Sequence, residues 1–312
     1  MHKLLILSKR AGEYRQLLET ANLPEIEIHS ATDATRASAL GSDFEILYGE
    51  PRLIRDLLPK LQNLRWVQTT SAGIELLLDP NLRRDYRLTN ARGVFGALMS
   101  EYVFAYLLLH ERRIFERYKA QKEHRWDGSD TGSLRGKTIG LLGVGSIGSH
   151  LARTAKQFEM KVQGYTRGSQ ISSDVDIYFH PPELLAFAQG LDYLVSVLPN
   201  TTETQRIVNA TLLNALPAHA IFINVGRGSA VDEPALVRAL QEQRLAAAVL
   251  DVYQEEPLPK RHPFWRSKNL LLTFHTSAPS LPEDLAGLFI ENYGRYLRGE
   301  KLNYEVDFVR GY

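Results

Sequence analysis

The sequence predicts an α/β fold with two domains, each built on a doubly wound parallel sheet. Short apolar runs alternate with amphipathic stretches through the first third of the chain, and this alternation is typical of a parallel sheet with helices on both faces. A long helical pattern begins near Gly96, and a second strand–helix series follows it. The second series opens with a strand and a glycine-rich turn, which favours a doubly wound sheet.

The composition limits the size, the partners and the chemistry of the protein. The chain has 312 residues, of which 44% are hydrophobic and 23% charged, and this length suits two domains. Lys and Arg number 37 against 36 Asp and Glu, which gives a net charge of +1. We therefore expect neither a nucleic acid nor a membrane as partner. The absence of cysteine excludes a disulfide, a thiolate nucleophile and a cysteine metal site.

The first residues carry only a short apolar run, L-L-I-L, before charged residues return. This run is too short for the core of a signal peptide. No uncharged apolar run approaches the roughly 20 residues of a membrane span. We therefore expect a cytoplasmic protein.

The first domain is predicted from its apolar runs, taken in order. Four runs predict strands, over residues 3–8, 25–29, 44–48 and 65–69. Amphipathic stretches over residues 14–20 and 51–61 predict helices between them. From Gly96 to Lys119 the chain has no further glycine or proline, so we expect one long helix there.

The second series contains six apolar runs that predict six strands, over residues 138–143, 161–165, 192–198, 220–225, 246–252 and 270–274. The tail then predicts another helix, with Pro282 near its start. We expect residues 1–97 and 282–312 to form one discontinuous domain. Residues 98–281 form the other.

The turn G-V-G-S-I-G lies between a predicted strand and a predicted helix. Gly143 permits a tight turn, Gly145 lets a pyrophosphate approach the backbone, and Gly148 allows close packing of helix on strand. A helical pattern follows the turn from Ser149, and the free N–H groups and dipole at a helix N-terminus favour phosphate. Ser146 and Ile147 are expected to contact the cofactor as well. The pattern predicts a dinucleotide site, and the alternative is a structural strand–helix turn.

Thr166 stands eighteen residues after Gly148, where an acidic residue would bind the ribose 2′-hydroxyl of NAD. Arg167 follows it, and Ser169 lies two positions further on. An arginine pairs with a phosphate through its planar donors, and the hydroxyls of Thr166 and Ser169 add further donors. The sequence therefore predicts NADP as cofactor, with weaker use of NAD. The alternative is a solvated arginine in an ordinary loop.

Ionisable side chains follow three predicted strands of the second domain. Arg227 stands between two glycines, Asp251 ends the next strand, and His275 follows the last one. Glu255 and Glu256 precede a proline after Asp251. Ligands of doubly wound sheets bind beyond the carboxyl ends of the strands, so this set predicts an active site. Taken one by one, each residue also fits a structural or solvated role.

Several longer motifs carry a resemblance to a known family. They are T-T-S-A-G-I-E-L-L, N-A-R-G-V-F-G-A-L-M-S-E-Y-V-F-A, the glycine turn, S-V-L-P-N-T-T-E-T, I-N-V-G-R-G-S-A-V-D-E-P-A-L and L-D-V-Y-Q-E-E-P-L-P. With these motifs the chain resembles the D-isomer-specific 2-hydroxyacid dehydrogenases. Arg167 and the ending V-D-F-V-R-G-Y make it most similar to their glyoxylate/hydroxypyruvate reductase A branch. Phe274 replaces the family's usual proline, and T-S-A-P-S replaces a glycine-containing turn after His275.

The resemblance implies a flavodoxin-like substrate domain and a Rossmann cofactor domain, with a homodimer built through the cofactor domain. It implies reduction of glyoxylate or hydroxypyruvate to glycolate or D-glycerate with NADPH. Arg227 would bind the substrate carboxylate and carbonyl, and His275 would donate and accept the proton. Glu256 would pair with His275. Because a carboxylate neighbour favours the protonated imidazole, we expect His275 to donate a proton near neutral pH.

The resemblance also implies roles for residues that hold the cofactor and the substrate. Asp251 would anchor the nicotinamide carboxamide, and Pro199 would lie in the loop that covers the cofactor. Ala72, Gly73 and Ile74 would offer backbone N–H groups to the substrate carboxylate, as an anion nest does. A simple turn is the alternative for residues 72–74.

Two other functions stay open at this stage. One is an enzyme of the same family that acts on larger 2-keto acids. The other is a non-enzymatic protein that senses a cofactor on the same scaffold, and the combination of Arg227, Glu256 and His275 speaks against it. No potential base has metal-ligand partners near it in the sequence, so no metal is expected.

Overall fold

The computed structural model describes residues 1–168, 170, 172–309 and 311. Ser169, predicted to contact the cofactor, lies outside the described residues. The chain forms two compact units. Unit 1 comprises Met1–Val94 and Ser280–Tyr312, and unit 2 comprises Phe95–Pro279.

The strands are β1 (His2–Leu7), β2 (Ile26–Ala31), β3 (Ile46–Gly49), β4 (Trp66–Thr69), β5 (Arg87–Thr89), β6 (Thr138–Leu142), β7 (Lys161–Tyr165), β8 (Ile177–Phe179), β9 (Tyr193–Ser196), β10 (Ile221–Asn224), β11 (Ala247–Leu250) and β12 (Leu270–Leu272). The α-helices are α1 (Ala11–Thr20), α2 (Ala34–Ala39), α3 (Pro51–Leu57), α4 (Gly96–Glu111), α5 (Ile114–Lys122), α6 (Ser146–Gln157), α7 (Leu184–Ala188), α8 (Ala210–Ala215), α9 (Glu233–Gln241) and α10 (Pro282–Leu297).

Unit 1 is built on a five-stranded parallel sheet with the order β2-β1-β3-β4-β5. This is the flavodoxin-like order. The C-terminal helix α10 belongs to this unit because Phe289 stacks on Trp66 of β4, with ring centroids 5.1 Å apart. The indole of Trp66 also donates a hydrogen bond to the hydroxyl of Thr89 over 2.8 Å, which ties β4 to β5.

Unit 2 is built on a seven-stranded parallel sheet with the order β12-β11-β10-β9-β6-β7-β8. The order reverses between β6 and β9, and this switch point is where doubly wound sheets bind ligands. Alternate residues of the central strands enter opposite cores. Leu194 and Phe222 pack on one face, while Val195 and Ile223 pack on the other, as expected for a sheet covered on both sides. The predicted fold class is confirmed.

The prediction of one long helix from Gly96 to Lys119 is wrong. The first helix, α4, ends at Glu111, and α5 begins at Ile114. Between them, Arg113 takes a left-handed backbone conformation with a φ of 52°. A right-handed helix cannot continue through this conformation. Nothing in the part of the chain that the structure describes forms a helix both long and apolar enough to cross a membrane.

Candidate active site

The glycine turn between β6 and α6 forms a cradle at the switch point. Gly143 has a φ of 97°, a conformation that favours glycine. A Cβ atom at Gly148 would lie 2.2 Å from the carbonyl oxygen of Gly143, so no larger residue fits there. Gly145 is the N-cap residue of α6 and provides no side-chain cap for its first turn. The N–H groups of Ser146 and Ile147 therefore fit an anion such as a pyrophosphate.

Thr166 and Arg167 follow β7 beside a histidine and an acid. The carbonyl of Thr166 lies 2.7 Å from Nδ1 of His180, within hydrogen-bond reach. Nη1 of Arg167 lies 3.8 Å from Oε2 of Glu203, and both side chains are more than half exposed. An anion that binds Arg167 therefore meets the negative charge of Glu203 nearby. Such exposed pairs contribute little to stability.

Pro199 lies in the loop that follows β9, and this loop is bonded within itself. The hydroxyl of Thr204 donates to the carbonyl of Pro199 over 2.6 Å and accepts a hydrogen bond from the N–H of Thr201 over 2.9 Å. The loop therefore has a defined shape at the carboxyl end of β9, beside the switch point, and it carries Glu203.

Arg227 is held in a turn that its two flanking glycines make possible. A Cβ atom at Gly226 would lie 2.7 Å from the backbone nitrogen of Leu198, and one at Gly228 would lie 1.9 Å from the carbonyl carbon of Tyr253. Both glycines are therefore required by close approach of backbone, which accounts for the motif G-R-G. The turn brings Arg227 between the loops that follow β9 and β11.

Asn224, the last residue of β10, braces this turn from below. Its side chain is fully buried, its amide donates to the carbonyl of Arg227 over 3.0 Å, and its Oδ1 accepts from the N–H of Gly226 over 3.2 Å. Nη1 of Arg227 also donates to the carbonyl of Gly226 over 2.8 Å. Asn224 therefore holds the backbone of the turn, and the carbonyl of Gly226 within that turn accepts a hydrogen bond from the guanidinium.

His275 and Glu256 form a hydrogen-bonded pair. Nδ1 of His275 lies 2.8 Å from Oε2 of Glu256, and the other carboxylate oxygen accepts from the N–H of Tyr253 over 3.0 Å. The acid that reaches the imidazole is thus Glu256 and not Glu255. Because Nδ1 faces the carboxylate, Nε2 is the nitrogen left for proton exchange with a substrate. The histidine side chain is 57% exposed, which gives a ligand access to it.

Asp251 lies fully buried at the end of β11 and directs its carboxylate at the segment that carries His275. Oδ1 accepts hydrogen bonds from the hydroxyl of Thr273 over 2.5 Å and the N–H of Thr276 over 2.9 Å. Oδ2 accepts from the N–H of Ser277 over 3.0 Å. Burial alone would raise the pKa of Asp251, but hydrogen bonds from Ser277, Thr273 and Thr276 outweigh burial and lower it.

Residues 72–74 lie in unit 1, after β4, in a turn whose carbonyl groups are all engaged. The carbonyl of Ala72 accepts from the side chain of Asn90 over 3.0 Å, that of Gly73 accepts from the hydroxyl of Ser71 over 2.9 Å, and that of Ile74 accepts from a backbone N–H over 2.8 Å. Within the described residues, the N–H groups of 72–74 donate no hydrogen bond. This arrangement suits an anion nest.

Within unit 2, the structure brings Glu256, His275 and Asp251 into one hydrogen-bonded group. Among the described residues, no three histidine or acidic side chains gather where they could hold a metal ion.

The residues that support the site were not predicted from the sequence. Asn224 stands inside the quoted motif N-V-G-R-G and could have been found there. Tyr102, whose hydroxyl lies 2.6 Å from that of Thr273, gave no signal because it is far away along the chain.

Comparison with known proteins agrees with the fold and the motifs. The sequence profile of the D-isomer specific 2-hydroxyacid dehydrogenases, NAD binding domain, matches residues 104–277. Glyoxylate/hydroxypyruvate reductase A of Yersinia enterocolitica is 31% identical over 284 residues, which cover 89% of this chain and 90% of that protein. Glyoxylate reductase of Aeropyrum pernix is 32% identical over 275 residues, with coverages of 83% and 82%.

Solved structures give the same result. A D-isomer specific 2-hydroxyacid dehydrogenase family protein from Aeromonas salmonicida is 42% identical, with a TM-score of 0.93 and coverages of 98% and 99%. The NADPH-dependent glyoxylate/hydroxypyruvate reductase of Sinorhizobium meliloti, solved with NADP and sulfate, is 27% identical, with a TM-score of 0.89 and full coverage of both chains. The chain therefore belongs to the D-isomer-specific 2-hydroxyacid dehydrogenase family of oxidoreductases.

Proposed function

We propose that the protein reduces a small 2-keto acid, glyoxylate or hydroxypyruvate, to glycolate or D-glycerate with NADPH. The observation that carries the proposal is the pair of His275 and Glu256, joined over 2.8 Å at the strand edge that also holds Arg227. A protonated imidazole backed by a carboxylate supplies the proton that a carbonyl oxygen needs on reduction. The named relatives from Yersinia enterocolitica and Sinorhizobium meliloti support the choice of substrates.

The reaction adds a hydride to the carbonyl carbon and a proton to its oxygen. The nicotinamide cofactor supplies the hydride when it is bound. His275 gives its Nε2 proton to the oxygen, and Glu256 stabilises the imidazolium before the transfer. In the reverse direction the neutral imidazole accepts the hydroxyl proton, so the same nitrogen serves both directions.

Arg227 supplies a fixed positive charge to the substrate. Its guanidinium binds the carboxylate and the carbonyl oxygen, and it stabilises the negative charge that develops on that oxygen during reduction. The bracing by Asn224 and the flanking glycines supports this role because a charge held in advance needs no reorganisation during the reaction.

The turn from Gly143 to Gly148 would hold the cofactor, with the N–H groups of Ser146 and Ile147 available to its phosphates. Pro199 would lie in the loop that covers it. Asp251 would anchor the nicotinamide carboxamide through the one acceptor position of its carboxylate that its three hydrogen bonds leave. The supporting observation is the uncapped start of α6 behind a turn in which Gly148 leaves no room for a Cβ atom.

In unit 1, the N–H groups of Ala72, Gly73 and Ile74 would form a nest for a carboxylate. Two observations support the assignment. The carbonyls of this turn accept hydrogen bonds, and its N–H groups donate to no described residue. Gly73→Pro removes one of these donors, so a KM for the keto acid equal to that of the unchanged protein would refute it.

The preference for NADPH rests on Thr166 and Arg167. Arg167 offers its guanidinium to the 2′-phosphate, and an aspartate at this place would repel it. We expect kcat/KM with NADPH to exceed that with NADH by at least about tenfold, or about 1.4 kcal/mol. We expect Arg167→Asp to shrink or reverse this preference for NADPH. Initial rates with both cofactors measure it.

Arg52→Asp is the matched control for Arg167→Asp, because it makes the same charge change at an exposed position of α3 in unit 1. The control should leave the ratio of the two cofactors unchanged. Equal efficiency with NADPH and NADH in the unchanged protein would refute the cofactor assignment.

Replacing Glu256 by glutamine is expected to lower kcat for keto-acid reduction by about tenfold or more. Glutamine keeps the size of the side chain but removes the carboxylate that lies 2.8 Å from Nδ1 of His275. The proton donor then loses the charged partner that orients it. Steady-state kinetics with glyoxylate at saturating NADPH measure the effect.

Glu255→Gln is the control for Glu256→Gln, because it makes the same change one residue away from the acid that reaches His275. Its kcat should match that of the unchanged enzyme. An unchanged kcat in Glu256→Gln would show that this carboxylate does not act on the histidine.

A homodimer through unit 2 is part of the proposal. Four large apolar side chains lie exposed at and after α5: Ile114, Phe115, Tyr118 and Trp126, the last of them 95% exposed. A surface of this kind marks an interaction site, and a second copy of the chain would cover it. A monomer mass in solution by light scattering would refute this assignment.

Larger 2-keto acids are the second candidate substrates. Phe274, directly before His275, is 60% exposed and packs on Trp265 with ring centroids 5.9 Å apart. This aromatic pair offers an apolar surface near the proton donor, which favours a substrate with an apolar side chain.

An assay of NADPH oxidation with glyoxylate, hydroxypyruvate, pyruvate and phenylpyruvate separates the two candidates. The proposed function predicts the highest kcat/KM with glyoxylate or hydroxypyruvate. A preference for phenylpyruvate would favour the second candidate. No turnover with any of the four acids, despite NADPH binding, would favour a cofactor-sensing protein.

A further inference from the structure

A chain of hydrogen bonds runs from helix α4 to the segment that carries His275. The hydroxyl of Tyr102 lies 2.6 Å from that of Thr273, and the hydroxyl of Thr273 lies 2.5 Å from Oδ1 of Asp251. Tyr102 belongs to α4, which is distant in the sequence from the other two residues. These hydrogen bonds therefore link a helix of unit 2 to the carboxyl ends of β11 and β12.

The direction of the hydrogen bonds follows from the chemistry of the three groups. An ionised carboxylate only accepts hydrogen bonds, and hydrogen bonds hold the pKa of Asp251 below its usual range. Thr273 therefore donates its only hydroxyl proton to Asp251. Tyr102 must then be the donor to Thr273, and burial, which raises the pKa of Tyr102, keeps it protonated.

Asp251, at the end of this series of hydrogen bonds, contacts residues on both sides of His275. The carboxylate of Asp251 is bonded to Thr273, two residues before the histidine, and to the N–H groups of Thr276 and Ser277 after it. The N–H of His275 itself donates to the carbonyl of Asp251 over 2.8 Å.

His275 needs this support because its φ of 57° lies in the left-handed region. A residue other than glycine persists in this conformation only when its surroundings enforce it. The bonds to Asp251 enforce it, and they also fix the direction in which the imidazole leaves the backbone.

We propose that Tyr102 and Thr273 are positioning residues, which act through Asp251 to set the orientation of the His275 imidazole for proton transfer. This inference rests on the proposed role of His275 as the proton donor. Neither hydroxyl reacts with the substrate. Their contribution is the geometry of the donor, and small displacements of a reacting group have large effects on rate.

The test compares three variants. Tyr102→Phe removes the terminal donor and keeps the ring, Thr273→Val removes the middle hydroxyl and keeps the shape, and Thr273→Ser keeps that hydroxyl. We expect Tyr102→Phe and Thr273→Val to lower kcat by about tenfold or more. Their dissociation constants for NADPH, measured by fluorescence titration, should stay within about twofold of the unchanged protein. Thr273→Ser should keep most of the activity.

A double variant tests whether the two hydroxyls act as one chain. If Tyr102 acts through Thr273, Tyr102→Phe combined with Thr273→Val should lower kcat no further than Thr273→Val alone. Effects on kcat that multiply would show that the two residues act independently, and they would overturn the proposal.

Imidazole resonances of His275 in NMR spectra give a readout that needs no turnover, with His275→Ala providing their assignment. Tyr102→Phe and Thr273→Val should shift these resonances, whereas Thr273→Ser should leave them in place. Unchanged resonances and kcat in Tyr102→Phe would overturn the proposal, as would a Thr273→Ser protein as impaired as Thr273→Val. Shifted resonances in a protein that turns over no keto acid would support the positioning and refute the proposed function.

Discussion

His275→Ala is expected to lower kcat for keto-acid reduction by about a hundredfold to ten-thousandfold, the range that a positioned general acid contributes. Without the imidazole, the proton must reach the carbonyl oxygen from water. The dissociation constant for NADPH should change by less than about twofold, because the proposed phosphate site at the start of α6 stays intact. Stopped-flow measurement of NADPH oxidation gives the first quantity, and fluorescence titration gives the second.

His219→Ala is the matched control for this change. His219 is exposed and pairs with Asp192 over 3.2 Å just before β10, at the amino ends of the strands. Its replacement should leave kcat unchanged. A His275→Ala protein that retains more than about a tenth of the original kcat would contradict the role of His275 as proton donor.

Arg227→Ala is expected to have the second large effect, on both KM and kcat. The proposed charge-assisted contact to the substrate carboxylate is lost, and KM should rise. The proposed stabilisation of the developing alkoxide is lost as well, and kcat should fall by about a hundredfold to a thousandfold. Steady-state kinetics with glyoxylate at saturating NADPH measure both constants.

Arg227→Lys tests the same residue more selectively. Lysine keeps the positive charge but lacks the planar fork of donors that matches a carboxylate. We expect it to restore part of kcat while KM stays raised. An Arg227→Ala protein whose KM and kcat both match those of the unchanged enzyme would show that the substrate is bound elsewhere.

Strand–helix alternation predicted the two sheets because buried parallel strands appear as apolar runs whatever surrounds them. The three-residue strands β5 and β8 were missed, whereas the equally short β12 was predicted because it lies in the longer apolar run L-L-L-T-F. The break after α4 was missed for a different reason. Neither Arg112 nor Arg113 is a helix breaker, and the left-handed conformation at Arg113 has no signal in its residue type.

The candidate site shows the same division between local and distant signals. Close backbone contacts leave no room for a side chain at Gly226 and Gly228. The motif G-R-G makes both glycines visible in the sequence. The hydrogen bond between Tyr102 and Thr273 has no such motif in the sequence. It depends on how α4 packs against the end of β12, and residues that are far apart in the sequence reveal such a contact only in the folded chain.

Identification of the product that forms from hydroxypyruvate and NADPH tests the proposed reduction of a 2-keto acid. The purified protein is mixed with both compounds, NADPH consumption is followed by absorbance, and the product is separated by chiral chromatography. We expect D-glycerate in a quantity equal to the NADPH oxidised, formed at least about a hundredfold more slowly by the His275→Ala protein. Absence of NADPH oxidation by folded protein that binds NADPH, or formation of D-glycerate at the same rate by His275→Ala, would contradict the proposed function.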